Sequence, residues 1–115
     1  MKSRLPCLAL SLSLLAAPLV AEERKLTTGE IKALLPMIIA SSETTRQTYS
    51  ARGATTYTDR GRDSYGSWEA RGDKYCSQWP PANGWACYDV LVDGETLIWV
   101  GDSGHRTINT MKPKG

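Results

Sequence analysis

The spacing of hydrophobic positions changes twice along this chain. Leu8 to Val20 is apolar except for Ser11 and Ser13. After the charged stretch Glu22-Glu23-Arg24-Lys25, Ile31, Leu34 and Leu35 fall at helical spacing. Pro36 ends that pattern, because proline has no N–H to continue a helix. Thr27 and Glu30 supply the Thr-x-x-Glu spacing of a capping box. The pattern predicts one short helix over Thr28–Leu35. A helix of that length cannot stand alone, so its apolar stripe must lie on something else.

Beyond Pro36 the pattern becomes short β-type runs between turn residues. These cover Met37–Ala40, Thr44–Ser50, Ala54–Thr58, Ser64–Arg71, Lys74–Trp79, Trp85–Val92, Thr96–Val100 and His105–Met111. Alternation is clear in one of them: Gly66, Trp68 and Ala70 share a small or apolar face, with Ser67, Glu69 and Arg71 opposite. Asp93-Gly94 is the strongest hairpin signal. Runs of this length and spacing predict a mainly β fold. Seven to eight short antiparallel strands form a meander that makes a small barrel or barrel-like sheet, with one short N-terminal helix. Folding the chain about Pro80–Gly84 so that Cys76 faces Cys87 also sets Lys74 opposite Asp89, an opposite-charge cross-strand pair.

The capped helix, Ser64-Tyr65-Gly66-Ser67-Trp68-Glu69, Gly72-Asp73-Lys74-Tyr75-Cys76 and Cys87-Tyr88-Asp89-Val90 together resemble a group of small exported bacterial domains of unknown function. Their shared marks are a capped N-terminal helix, Gly-x-Trp, two cysteines and Asp-Gly before the next strand. The resemblance covers most of the chain after the leader. It departs at Met37-Ile38, where such domains place a glycine turn after the proline. It implies a fold and an envelope location, and it transfers no catalytic residue.

Composition narrows the class. Met1–Ala21 reads as a secretory signal peptide, with Lys2 and Arg4 at its start and Ala21 at its cleavage position. Its apolar run of about 13–15 residues is shorter than the roughly 20 a membrane-spanning helix needs. The expected organisation is therefore signal peptide 1–21, flexible lead-in 22–26, a single β domain 27–111 and a loose tail 112–115. Two of the 14 basic residues leave with the leader, so the remaining 94 residues carry 12 basic and 12 acidic groups. That balance excludes a nucleic-acid binder and a polybasic membrane-surface protein. With Cys7 in the leader, Cys76 and Cys87 are left, and an even number in an oxidising compartment reads as a disulfide. The expected location is periplasmic or secreted, as a monomer without a transmembrane segment. A single histidine and scattered carboxylates offer no metal-ligand spacing, and no cofactor loop is present in the sequence.

Candidate chemistry is sparse. Gly101-Asp102-Ser103-Gly104 matches a serine-protease nucleophile signature, but His105 is too close in sequence to be the separate base that mechanism needs. A glycine-flanked hairpin turn explains it better. Arg71-Gly72-Asp73 spells an adhesion tripeptide at a place where a tight turn wants Gly-Asp. Asp59 and Asp63 interleave with Arg60 and Arg62 in a self-neutralising loop. The two arginines, with Arg52, offer an anion-binding use. Among the aromatics, Trp68 and Trp99 are assigned to the core. Trp79 and Trp85 bracket the Pro80–Gly84 loop beyond the disulfide. They either pack on each other across the hairpin or form a rigid contact tip. The expected function is a non-enzymatic binding or interaction module for an unknown protein or envelope component, through Trp79, Trp85, Arg60 and Arg62. The alternative is an inhibitor of an envelope-directed protease or lysozyme, and after it a small hydrolase.

Overall fold

The computed structural model describes residues 22–115; the expected leader, 1–21 with Cys7, lies outside the described residues. Strand β1 (Arg24–Lys25) leads into helix α1 (Thr28–Leu34). Thr27 caps it: its hydroxyl accepts from the Glu30 N–H at 3.3 Å, and the Glu30 carboxylate accepts from the Thr27 N–H at 3.0 Å. Both halves of the capping box are made. The helix ends one residue earlier than its spacing predicts. Pro36 turns Leu35–Met37 into a single tighter helical turn, leaving Met37 exposed.

The chain then runs through β2 (Ile38–Ser41), β3 (Thr45–Tyr49), β4 (Ala54–Asp59), β5 (Arg62–Arg71), β6 (Lys74–Gln78), β7 (Ala86–Asp93), β8 (Thr96–Val100) and β9 (Arg106–Pro113). Each strand is antiparallel to the next, and β9 returns to pair with β2, Ala40 opposite Met111. The result is a closed eight-stranded up-and-down barrel, with β1 laid outside it against β7. The predicted fold class is the observed one.

Two expectations at the chain ends differ. The lead-in is not loose: Arg24 and Lys25 pair with Val92 and Leu91, and Leu26 is buried, its N–H donating to the Val90 carbonyl. The tail is shorter than expected, because β9 continues to Pro113 beside Ile38 and the Lys114 N–H donates to Met37. In both places free strand-edge groups are satisfied by pairing that no local pattern announces.

In an up-and-down barrel, successive hairpins alternate between the two ends. One end carries the β3–β4, β5–β6 and β7–β8 turns and is closed by α1. There Ile31 and Leu35 are fully buried with Leu26, Ile38, Val90 and Leu97. Burying such an apolar stripe is what stabilises so short a helix. The helix is also tied to the β5–β6 turn. The Asp73 carboxylate accepts from the Thr28 N–H at 2.8 Å and from its hydroxyl at 3.1 Å, and the Asp73 N–H donates back to that hydroxyl at 2.7 Å. Asp73 sits at φ 58° to make this turn. The other end carries the β2–β3, β4–β5, β6–β7 and β8–β9 connections.

Candidate functional site

The open end of the barrel leads into a cavity of about 510 Å³. Inward alternation along each strand builds its wall, with Gln47 from β3, Tyr57 from β4, Ser64 from β5, Ser77 from β6, Tyr88 from β7 and Asn109 from β9. Its floor is aromatic. Tyr75 and Trp99 stack at 4.3 Å between ring centroids and belong both to the cavity lining and to the core. Tyr49 meets both of them edge-on from the core side, and meets Trp68 the same way. Trp68 and Trp99 are both buried as expected, Trp68 donating its indole N–H to the Ser50 carbonyl at 2.9 Å.

A polar network crosses this floor. The Gln47 amide donates to Thr55 Oγ1 at 3.0 Å and to the Tyr75 hydroxyl at 3.1 Å, and Thr55 donates on to the Thr48 carbonyl at 2.8 Å. Burial pushes the Tyr75 phenol up to about 12, so it stays protonated. On β9 the amide nitrogen of Asn109 is buried and has no hydrogen-bond partner among the described residues. Among the described residues, no Asp, Glu, His, Lys, Arg or Cys borders the cavity.

Trp79 is one of its walls. Its indole N–H donates to Ser77 at 3.1 Å, and its ring meets Tyr57 edge-on at 6.1 Å. The ring lies on Gly66: a Cβ at that position would stand 2.7 and 2.9 Å from two of its ring atoms and 2.5 Å from the Gln78 carbonyl. The glycine of the Gly-x-Trp motif thus clears the seat of a second tryptophan, thirteen residues on in the chain.

Trp85 has a different setting. Cys76 and Cys87 are directly opposite and bonded, as the sequence predicts, with Lys74 bonded to Asp89 at 2.8 Å. Continuing that register sets Gln78, not Trp79, opposite Trp85. The two tryptophans therefore sit on opposite faces and do not brace each other. Trp85 lies outside the barrel, 40% exposed, with the Arg71 guanidinium 5.9 Å from its ring centre. Arg71 also pairs with Glu69 at 2.9 Å and approaches Cys87 Sγ at 3.8 Å. Cys76 is fully buried.

The arginines do not converge. Arg60 and Arg62 lie at the β4–β5 turn of the open end, where Arg60 pairs with Asp59 at 3.1 Å. Arg52 lies in the β3–β4 turn at the opposite end, so the strand lengths rule out a three-arginine anion site. Asp63 is occupied by the Thr58 hydroxyl at 2.6 Å. The Gly101–Gly104 segment is a hairpin turn, with the Gly104 N–H donating to Gly101 and the Gly101 N–H to His105. In Arg71-Gly72-Asp73 both charged side chains are held, Arg71 by Glu69 and Asp73 by Thr28.

Of the four residues singled out from the sequence for binding, only Trp79 borders the cavity. The residues missed include Gln47, Tyr57, Ser64, Ser77, Thr107 and Asn109. Their signal was present: a polar side chain at an inward position of a barrel strand needs either a partner or an aqueous space. Among the described residues no cluster of metal-binding side chains occurs, and no helix is long and apolar enough to cross a membrane. No family model matches the chain, and no curated protein or solved structure is similar to it.

Proposed function

We propose that the protein is a non-enzymatic, exported binding module that holds a small ligand in the open end of its barrel. The observation that carries this reading is the cavity itself. At about 510 Å³ it falls within the usual size of small-molecule sites, roughly 300–1,000 Å³. An eight-stranded barrel is wide enough either to fill with side chains or to admit one small ligand. Here one end is filled and the other is not. The lining offers aromatic faces and neutral hydrogen-bonding groups rather than the paired carboxylates or base that hydrolysis needs. The Cys76–Cys87 bond favours a periplasmic or secreted setting, in keeping with the leader read from residues 1–21 and the likeness to small exported bacterial domains.

One observation favours a second reading, an inhibitor of an envelope-directed hydrolase. Pro80–Asn83 is exposed, and the disulfide staples the base of its loop beside the exposed Trp85. Native mass spectrometry of protein isolated from its own cells separates the two readings. A small-molecule adduct that is lost in Ser64→Trp, which fills the mouth, supports the barrel reading. Capture of a hydrolase that survives Ser64→Trp but fails in Trp85→Ala overturns it.

A further inference from the structure

Resting on that reading, we infer that the cavity takes a neutral saccharide of one or two rings. Three features of the lining point to this ligand chemistry. The first is charge: among the described residues no ionised side chain borders the space, so a phosphate, carboxylate or ammonium ligand would lose its hydration with no counter-charge to replace it. The second is polarity. Ser64, Ser77, Thr107 and Asn109 present hydroxyls and amides around the barrel, from β5 and β6 across to β9. An acyl chain would leave those groups unpaired when it displaced water. A saccharide carries hydroxyls on every edge and can meet them all.

The third feature is the combination of a seated ring with an unpaired donor. Trp79 lies against Gly66, held by its bond to Ser77 and by the edge of Tyr57. Aromatic faces carry negative charge density, and the weakly positive C–H face of a sugar ring complements them. Most donors near the floor are already committed: Gln47 to Thr55 and Tyr75, Trp79 to Ser77. The Asn109 amide nitrogen is not. It is buried in the wall of the cavity that Asn109 borders, and no hydrogen-bond partner reaches it among the described residues. Once the Asn109 amide turns into the cavity that it borders, a sugar hydroxyl or ring oxygen beside Trp79 supplies the acceptor.

The test uses the protein in calorimetric and tryptophan-fluorescence titrations. The probes are glucose, N-acetylglucosamine, cellobiose and maltose, with gluconate, palmitate and adenosine for comparison. At least one neutral saccharide is expected to bind saturably, and gluconate and palmitate are not. Asn109→Leu keeps the volume and removes the amide. It should weaken binding at least about tenfold, the factor that about 1.4 kcal/mol corresponds to, with the melting temperature unchanged or raised. Trp79→Ala should abolish binding, Trp79→Phe should retain most of it, and Tyr65→Ala, on the outer face of β5, should leave it unchanged. Binding of adenosine or palmitate that Ser64→Trp blocks would overturn the saccharide and leave the cavity reading standing. Silence from all four saccharides would also overturn it, and the cavity reading would then rest on the native adduct alone. Saccharide binding insensitive to Ser64→Trp would sink both.

Discussion

The two ends of this barrel are built from the same strands and behave as different materials. At the closed end the inward positions are mostly apolar or aromatic, with Thr55 bonded to the Thr48 carbonyl among them, and α1 lays Ile31 and Leu35 across the opening. On its outer side Thr27, Glu30, Thr28 and Asp73 satisfy one another, while inside it the Tyr49 hydroxyl is buried without a partner among the described residues. At the open end the inward positions alternate aromatic rings with hydroxyls and amides, and one buried amide is left without a partner. The closed end is where the fold gains its stability; the open end gives up packing for a space. A domain of this size has a small core, so an unfilled end has a cost, and a function is the usual reason to bear it.

Substitutions should reveal that division in order of their effect. Ile31→Ala removes a fully buried side chain from the plug. It should destabilise the protein by about 3–4 kcal/mol and lower the melting temperature by more than about 10 °C, read by circular dichroism. A loss below about 1 kcal/mol would mean that α1 is not the closure of the core. Cys76→Ser opens the 11-residue separation closed at the base of the β6–β7 loop and should cost about 3 kcal/mol in denaturant unfolding. Two free thiols by intact mass under non-reducing conditions would refute the bond itself.

Gly66→Ala acts at the open end. Its Cβ meets the Gln78 carbonyl and the Trp79 ring, so the ring must leave its seat. We expect about 2 kcal/mol of destabilisation together with a change in tryptophan fluorescence, since overpacking shifts neighbours rather than leaving a void. Unaltered fluorescence would show that Trp79 does not rest on residue 66.

Extremes of pH should attack the two regions separately. Hydrogen bonds from the Thr27 and Thr28 backbones hold the Glu30 and Asp73 carboxyls below their usual range, and the Lys74 ammonium does the same for Asp89. A lowered folded value stabilises above the ordinary carboxylate range, near about 4, and is lost as pH falls through the lowered values. Tyr75 has the opposite sign. Burial raises it to about 12, so its contribution is present below about pH 10 and is lost as pH climbs from there towards the raised value. Asp73→Ala should flatten part of the acid limb, and Tyr75→Phe part of the alkaline one, which it shares with the Tyr49 phenol that burial also raises, in melting temperature against pH. The smallest effect is expected on the outer face. Trp85→Ala should cost about 0.5–1 kcal/mol, the worth of an exposed cation–π contact. A fall of more than about 10 °C would show that Trp85 shields the disulfide more than its exposure implies.

Much of this molecule was legible from short-range pattern. The capping box, the breaker Pro36, the runs of alternating residues and the turn glycines are each decided within a few residues of chain, where propensity and hydrogen bonding act directly. The bond between Cys76 and Cys87 and the Lys74–Asp89 pair follow from one hairpin register, so they too were within reach. Closure was not. It depends on β9 meeting β2, with Ala40 opposite Met111, and on the stagger of all eight strands. The same hairpin register sets Trp79 and Trp85 on opposite faces, but pattern alone could not distinguish the end where inward Ser64, Ser77 and Asn109 border a cavity from the end that α1 fills. Local sequence sets which residues point inward along a strand. Only the closed barrel decides what each inward residue meets, because its neighbours there come from strands far away in the chain.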